Sequence, residues 1–314
     1  MKQIIHLFVL VILLSGCGSD NSGVSSLDKD TIEQYLADNN LTYSTTSEGV
    51  YQYELIANPT GNNNGDVFSI YYTLSDLETD VVIDSHLVGD GDPIKLKRSA
   101  SAIFPQGLDY GLVGIREGET YGLILTQSLG YGDFTTNAVP LGTLLHFEVE
   151  VITRETEANV ASDEDTQINS YITTNNLNNT MLNPIDAVVA LANGIYYKRT
   201  GAGDGTTMSI GDSITIDYNG TLLSNTSFDN LSGFKYKFGA GNVIDGLDAG
   251  VKEMEQSEDA ILFIPSAQAY GASVRVIPEA SIDELVTQFV VPDYVARVKP
   301  YEVLVFDVTL QTIH

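Results

Sequence analysis

Few side chains in this 314-residue chain are arranged for covalent or metal chemistry. The four histidines, at 6, 86, 146 and 314, show no metal-ligand spacing. No serine stands in a Gly-x-Ser-x-Gly elbow. The glycines of GAGDG at 201–205 precede a strand and lack the spacing of a phosphate cradle. Neither GDGDP at 89–93 nor the acidic clusters DKD (28–30) and DED (163–165) has the ligand spacing of a calcium loop. What does recur is a tyrosine-glycine pair, Tyr131-Gly132 in SLGYGDF (128–134) and Tyr270-Gly271 in AQAYGAS (267–273), each following an aliphatic run. One such pair marks a sheet edge turning into a loop. Two of them in like surroundings offer a hydroxyl whose use depends on what else is repeated.

The elements needed to carry that hydroxyl are repeated too. Ile32, Tyr35, Leu36 and Asn39-Asn40-Leu41 are matched by Ile168, Tyr171, Ile172 and Asn175-Asn176-Leu177. Their apolar spacing of three and four predicts a small amphipathic helix ahead of each copy, with an acidic start that suits a helix N-terminus. Gly49-Val50-Tyr51 then matches Gly194-Ile195-Tyr196, Tyr72 matches Tyr218, and Asp84 matches Asp229. Gly107-Leu108-Asp109 matches Gly246-Leu247-Asp248, and Phe147 matches Phe306. This is a tandem duplication with drift in loop length. Ile214, Ile216 and Tyr218 alternate with polar residues, as do Leu145, Phe147, Val149 and Val151, and Leu304, Phe306, Val308 and Leu310. That period of two predicts antiparallel strands with one buried and one wet face. Residues 107–115 and 246–254 are each long enough for about two helical turns. A short helix in the hollow of a twisted antiparallel sheet buries all these faces, so the expected class is α+β, present twice.

Composition bounds the rest. With 43% hydrophobic and 18% charged residues the chain is globular rather than disordered, and its length allows two domains with their own cores. Fifteen Lys and Arg against 42 Asp and Glu give a net charge of −27, which repels phosphate backbones and argues against a nucleic-acid partner. The start, MKQIIHLFVLVILLSGC, has a lysine, an apolar run too short to span a bilayer, and a small-residue tail, the pattern of an export signal. Its last four residues, Leu14 to Cys17, resemble the lipobox of bacterial lipoproteins, in which the cysteine is acylated and becomes the first mature residue. Cys17 is the only cysteine, so no disulfide can form within the chain. The expected organisation is a signal at 1–16, a flexible tether at 17–27, a first domain at 28–155 and a second at 156–314. The localisation expected is a lipid anchor on the bacterial cell envelope, at the outer membrane or periplasmic face.

Read in order, the second copy carries Asp217-Tyr218-Asn219-Gly220, Phe228-Asp229, Phe234, Val243-Ile244-Asp245-Gly246-Leu247-Asp248, Ala269-Tyr270-Gly271 and Leu304-Val305-Phe306-Asp307-Val308. This series resembles the FKBP family of peptidyl-prolyl isomerases over roughly 194–314. The first copy, roughly 49–152, resembles it more loosely. The resemblance implies two FKBP-like domains, each a twisted antiparallel sheet wrapped on one short helix. It implies cis-trans isomerisation of X-Pro bonds in proline-containing polypeptides, without cofactor or metal, and the expected export signal makes exported proteins the expected substrates. Tyr218, Asp229 and Tyr270 would be the catalytic set, with Phe228, Phe234, Val243, Ile244, Leu247 and Phe306 lining the substrate cup. Tyr72, Asp84, Leu108, Tyr131 and Phe147 would be the degenerate pocket of the first copy. These residue types suit such a reaction, because rotation about X-Pro must break amide resonance, a barrier of about 18–20 kcal/mol. A dry apolar cup favours the twisted, less polar amide, and a hydroxyl on its carbonyl holds the peptide in register.

Departures from the family pattern set further expectations. The pocket floor is usually tryptophan, and this chain has none; Leu247 and Leu108 take that position. In the first copy Ile83 stands for the phenylalanine before aspartate, and Pro105, which has no N–H to donate, stands for Ile244. The first copy is therefore expected to be weak or inactive, serving to bind or to space. The second copy is longer between Tyr270 and Phe306, over 272–300. There Ser281-Ile282-Asp283-Glu284 has the form of a capping box, and Ile282, Leu285, Val286 and Phe289 follow helical spacing. A short helix beside the second cleft is one expectation, and a decoration packed elsewhere the other. The non-enzymatic alternative for the whole chain is a pair of peptide-binding or chaperone modules on the envelope.

Overall fold

The computed structural model describes residues 25–99, 102–178 and 187–314. The expected export signal, the expected lipidation site Cys17 and most of the expected tether lie outside the described residues. Ser25 caps helix α1 (Ser26–Asp38), its side chain accepting from the Leu27 N–H at 3.2 Å. Helix therefore begins within the last residues of the expected tether. Strands β1 (Tyr43–Thr45), β2 (Tyr51–Ile56), β3 (Val67–Asp76), β4 (Val82–His86), β5 (Ile94–Lys97) and β6 (Ile103–Phe104) lead to α2 (Gln106–Gly111). β7 (Thr120–Leu125) and β8 (Leu145–Glu155) close the first copy. The second runs through α3 (Glu157–Thr174), β9 (Val189–Ala190), β10 (Tyr196–Gly201), β11 (Ser213–Leu222), β12 (Ser227–Lys237), α4 (Asp245–Val251) and β13 (Asp259–Ile264). The long segment that follows carries β14 (Arg275–Val276) and α5 (Ile282–Thr287), and β15 (Leu304–Ile313) ends the chain. The Phe104-Pro105 and Ile277-Pro278 bonds are cis.

The two main sheets repeat one strand order. The first is β1-β2-β7-β8-β3-β4, with β5 also paired to β3; the second, read from the same side, is β9-β10-β13-β15-β11-β12. Their pairs are antiparallel, and the duplication extends to register: Tyr72 faces Val149 and Leu74 faces Phe147, as Tyr218 faces Val308 and Gly220 faces Phe306. Each short helix lies directly on its sheet because glycines face the strand. A Cβ on Gly246 would stand 2.2 Å from Ile264, and one on Gly250 2.5 Å from Leu262. In the first copy a Cβ on Gly111 would stand 2.8 Å from Leu123. Any side chain there would lift the helix off the core, which accounts for the repeated Gly-Leu-Asp-x-Gly.

The opposite sheet faces are covered as well, where alternation alone predicts a wet face. Ile32 and Leu36 of α1 pack on Tyr51, Tyr53, Ile124 and Leu144, and Ile168 and Ile172 of α3 pack on Phe263, Val303 and Val305. Each helix carries an acidic residue with a specific use; Asp28 lies in the first turn of α1, whereas the 163–165 cluster, expected at a helix start, lies inside α3, which begins at Glu157. The Asp28 carboxylate accepts the Gln127 N–H at 3.3 Å, and the buried Glu164 carboxylate accepts the Ser266 N–H at 2.9 Å. Both fasten the chain just beyond the strand that leads into the Tyr-Gly loop.

Among the described residues the chain forms two compact units. One runs as far as Asn159 and includes Ala272–Pro300; the other is Val160–Gly271 with Tyr301–His314. The units meet in sequence at Asn159 and Val160, and the 272–300 segment, which the sequence assigns to the second copy, belongs to the first unit. Its Val276, Ile277, Leu285, Val291 and Val295 are buried in the same core as Phe68, Leu108, Leu123 and Phe147. The expected capping box does not form. The Ser281 hydroxyl meets Thr136 Oγ1 at 2.9 Å, and the Glu284 carboxylate accepts the Asn137 N–H at 3.0 Å, so both side chains anchor the segment instead of the helix end. Phe289 is not on the apolar stripe: α5 stops at Thr287, and Phe289, at φ 59°, is 94% exposed.

Candidate functional site

In the second copy β11 sets Tyr218 and Gly220 between β15, which carries Phe306, and β12, which carries Asp229. Tyr218 is 6% exposed, and its hydroxyl donates to the Asp229 carboxylate at 2.9 Å. Its ring meets Phe234 edge-on, with centroids 6.0 Å apart at 84°, and tilts against Phe306 at 5.8 Å. Phe228 meets Phe306 edge-on at 5.6 Å and 85°. Such edge-to-face arrays hold rings in fixed orientation and present a continuous apolar wall. Helix α4 packs on β13 and β15, with Val243, Ile244 and Leu247 buried at its start. Ile244 is the N-cap, at φ −60° and ψ 146°, so its N–H precedes the helix's own ladder. Tyr270 is half-buried on the loop after the turn Ser266–Gln268, and Gly271 beside it takes φ 55°, a left-handed turn that favours glycine.

The packing gives two further residues a part in this site. Gly220 lies under the Phe228 ring, where a Cβ would stand 2.7 Å from Cζ, so the phenylalanine requires the glycine. Tyr236 stacks on Phe234 at 5.3 Å and 17° and is buried. Burial first, and then the neighbouring Asp248 carboxylate, pushes its phenol up; burial likewise pushes Asp248 up. The alternation Phe234, Tyr236, Phe238 is the sequence signal that points to it.

The first copy repeats the frame with altered contents. The Tyr72 hydroxyl donates to the Asp84 carboxylate at 2.6 Å, and Tyr72 tilts against Phe147 at 6.3 Å. Burial, followed by Asp84, pushes the Tyr72 phenol up. Leu74 stands at the register position of Gly220, and Ile83 replaces the ring that Gly220 admits, so the missing aromatic is partly offset from the neighbouring strand. Pro105 caps α2 at φ −73° and ψ 148°, nearly the backbone of Ile244, without an N–H. Leu108 is fully buried, and Tyr131, 3% exposed, meets Phe104 edge-on at 4.9 Å. Ile277 and Val276 share this core, and the Tyr131 hydroxyl donates to the Ile277 carbonyl oxygen at 2.8 Å. Among the described residues no three His, Cys, Asp or Glu side chains are grouped to hold a metal ion, and no helix is long and apolar enough to cross a membrane.

The paired sheets, each wound on one short helix beside an aromatic cleft, define a family. The model of FKBP-type peptidyl-prolyl cis-trans isomerases matches residues 59–152 and 205–311, and the chain belongs to that family. Over 102 residues it is 33% identical to a probable FKBP-type peptidyl-prolyl cis-trans isomerase FkpA of Neisseria meningitidis, covering 31% of this chain and 38% of that one. It is 41% identical over 83 residues to FK506-binding protein 1 of Candida glabrata, covering 25% of this chain and 73% of the relative. A longer match, 26% identical over 208 residues, covers 65% of this chain and 28% of mouse peptidyl-prolyl cis-trans isomerase FKBP9. The chain thus spans less than half the length of two of these relatives. Among solved structures, the three FKBP domains of wheat FKBP73 cover 85% of this chain and 96% of theirs at 17% identity, with a TM-score of 0.31.

Proposed function

We propose that this protein is a peptidyl-prolyl cis-trans isomerase whose turnover resides in the second copy, acting on exported polypeptides from a lipid anchor at Cys17. The observation that carries the reading is the Tyr218–Asp229 hydrogen bond set within the wall of Phe228, Phe234 and Phe306. An X-Pro segment entering this cup loses the water that stabilises its planar dipole, while the twisted amide, less polar, loses little. Leu247 in place of the usual tryptophan keeps the floor apolar. Tyr270 supplies the hydroxyl that fixes the carbonyl of the bound residue, the Ile244 N–H donates to a second carbonyl, and Asp229 faces the reacting amide. No proton, electron or group is transferred; the cleft works by desolvation and by holding the peptide in register.

The test is cis-trans turnover of a short X-Pro peptide by the full chain. Asp229→Ala is expected to lower kcat/KM about ten-fold; turnover unchanged by it would remove the assignment. Anchoring is read separately: labelled acyl chains should enter the wild-type chain and not Cys17→Ala, and equal labelling of both would refute the anchor.

A further inference from the structure

We propose that the cleft of the first copy is a proline-peptide binding site and that its ligand is a segment of this same chain, Ile277-Pro278-Glu279. The segment is docked as an added strand: β14 pairs in parallel with β6, Arg275 opposite Ile103 and Val276 opposite Phe104. The Arg275 N–H donates to the Ala102 carbonyl at 2.9 Å and the Ile277 N–H to that of Phe104 at 2.8 Å. Main-chain pairing of this kind supplies affinity, and the side chains between pairs supply selectivity. Beyond it the chain is held on both sides of the proline. The carbonyl that precedes Pro278 accepts from the Tyr131 hydroxyl at 2.8 Å, and the N–H that follows it, on Glu279, donates to Asp84 at 3.2 Å. Pro278 is buried between these two bonds, and Ile277 is fully buried.

A hydrophobic plug would need only apolar contact. Here two polar side chains, Tyr131 and Asp84, contact the two backbone groups that flank the proline, one reading a carbonyl and the other an N–H. Their counterparts in the second copy, Tyr270 and Asp229, belong to the cleft proposed for external substrate. The flanks are latched as well: Glu279 pairs with Arg275 at 2.5 Å and Lys299 at 3.3 Å, and the Gln288 amide donates to the Thr135 carbonyl at 2.8 Å. A ligand tethered in this way has an effective concentration on the order of millimolar, so a free peptide competes poorly. The ligand class is an extended segment with a β-branched aliphatic residue before proline. This assignment stands apart from catalysis by the second copy, because it concerns binding alone.

The probe is the fluorescein-labelled peptide Val-Arg-Val-Ile-Pro-Glu-Ala-Ser, titrated by anisotropy into the full chain and into a full chain with residues 275–279 replaced by Gly-Ser-Gly-Ser-Gly. The replaced chain is expected to bind one equivalent more than the wild type, and Tyr131→Phe within it to weaken that added site about five-fold. A folded replaced chain with no added equivalent would overturn the proposal. Should that chain fail to fold, amide exchange on the intact protein decides. The Ile277 and Glu279 amides are expected to be protected and to exchange at least five-fold faster in Tyr131→Phe, with β3 and β8 unchanged. Unprotected amides, or no selective change, would overturn it equally.

Discussion

The two clefts share strand order, register and a tyrosine hydroxyl bonded to an aspartate, at 2.6 Å in the first copy and 2.9 Å in the second. They differ in what touches the ligand position. Gly220 and Phe228 in one become Leu74 and Ile83 in the other, Ile244 becomes Pro105, and the first core takes in Ile277 from the 272–300 segment. The frame of a duplicated domain is fixed by packing, which neither copy can abandon without unfolding. Aromatic content and donors at the cleft mouth serve the ligand, so they are free to diverge when one copy receives a tethered segment.

The largest effect expected from that contrast comes from truncating the matched phenylalanines, Phe306 at 4% exposure and Phe147 at 0%. Phe306→Ala and Phe147→Ala should each cost about 3–5 kcal/mol, read by denaturant unfolding of the unit concerned. Only Phe306→Ala should abolish X-Pro turnover. Loss of turnover in a folded Phe147→Ala chain would undo the contrast.

Acidification separates the units next. Burial holds His146 down to about 4, so from pH 6.5 to 4 the unfolded state takes up the proton first and the first unit loses about 3 kcal/mol. Burial pushes Asp109 up to about 6, so from pH 6 to 3.8 the folded state takes up the proton first and gains about 3 kcal/mol. These two effects oppose each other in the wild type. Asp109→Asn should therefore leave this unit losing stability on acidification, and His146→Gln should leave it gaining, as read by unfolding midpoints across that range. The second unit's transition should not respond to either change.

A smaller effect comes from Gly220→Ala, which puts a methyl group against the Phe228 ring and should cost about 1–3 kcal/mol with a fall in turnover. Grafting the first copy's pair, Gly220→Leu with Phe228→Ile, should restore stability and leave turnover low. Turnover restored along with stability would show that the aromatic wall is dispensable. Smallest is Tyr218→Phe, which removes one hydrogen bond and should lower kcat/KM about five-fold in the same peptide assay.

Much of the fold and the cleft is legible in residue types and spacing. The duplication, the Gly-Leu-Asp helix starts, the prelude helices and the aromatic series follow from periodicity and order, which register preserves. The use of Asp28 and Glu164 on backbone N–H groups is not legible, since an acidic side chain on a helix looks the same whether it meets water or a distant amide. Gly220 stands in the motif series, but its requirement comes from a ring on the neighbouring strand. Chain order places the 272–300 segment with the copy in which it is inserted. Only packing shows that its β-branched residues complete the other core, although Val274, Val276, Ile277, Val290 and Val291 are more apolar than a solvated loop needs. Ser281 and Glu284 fit a capping pattern, yet tertiary partners at Thr136 and Asn137 claim both side chains.

The division of labour between the clefts is decided by proline-peptide turnover of the full chain carrying Asp229→Ala and Tyr270→Phe together. Catalysis seated in the second copy requires turnover below about one-tenth of wild type, with both units folded by calorimetry. Turnover near the wild-type level in that folded chain would contradict it.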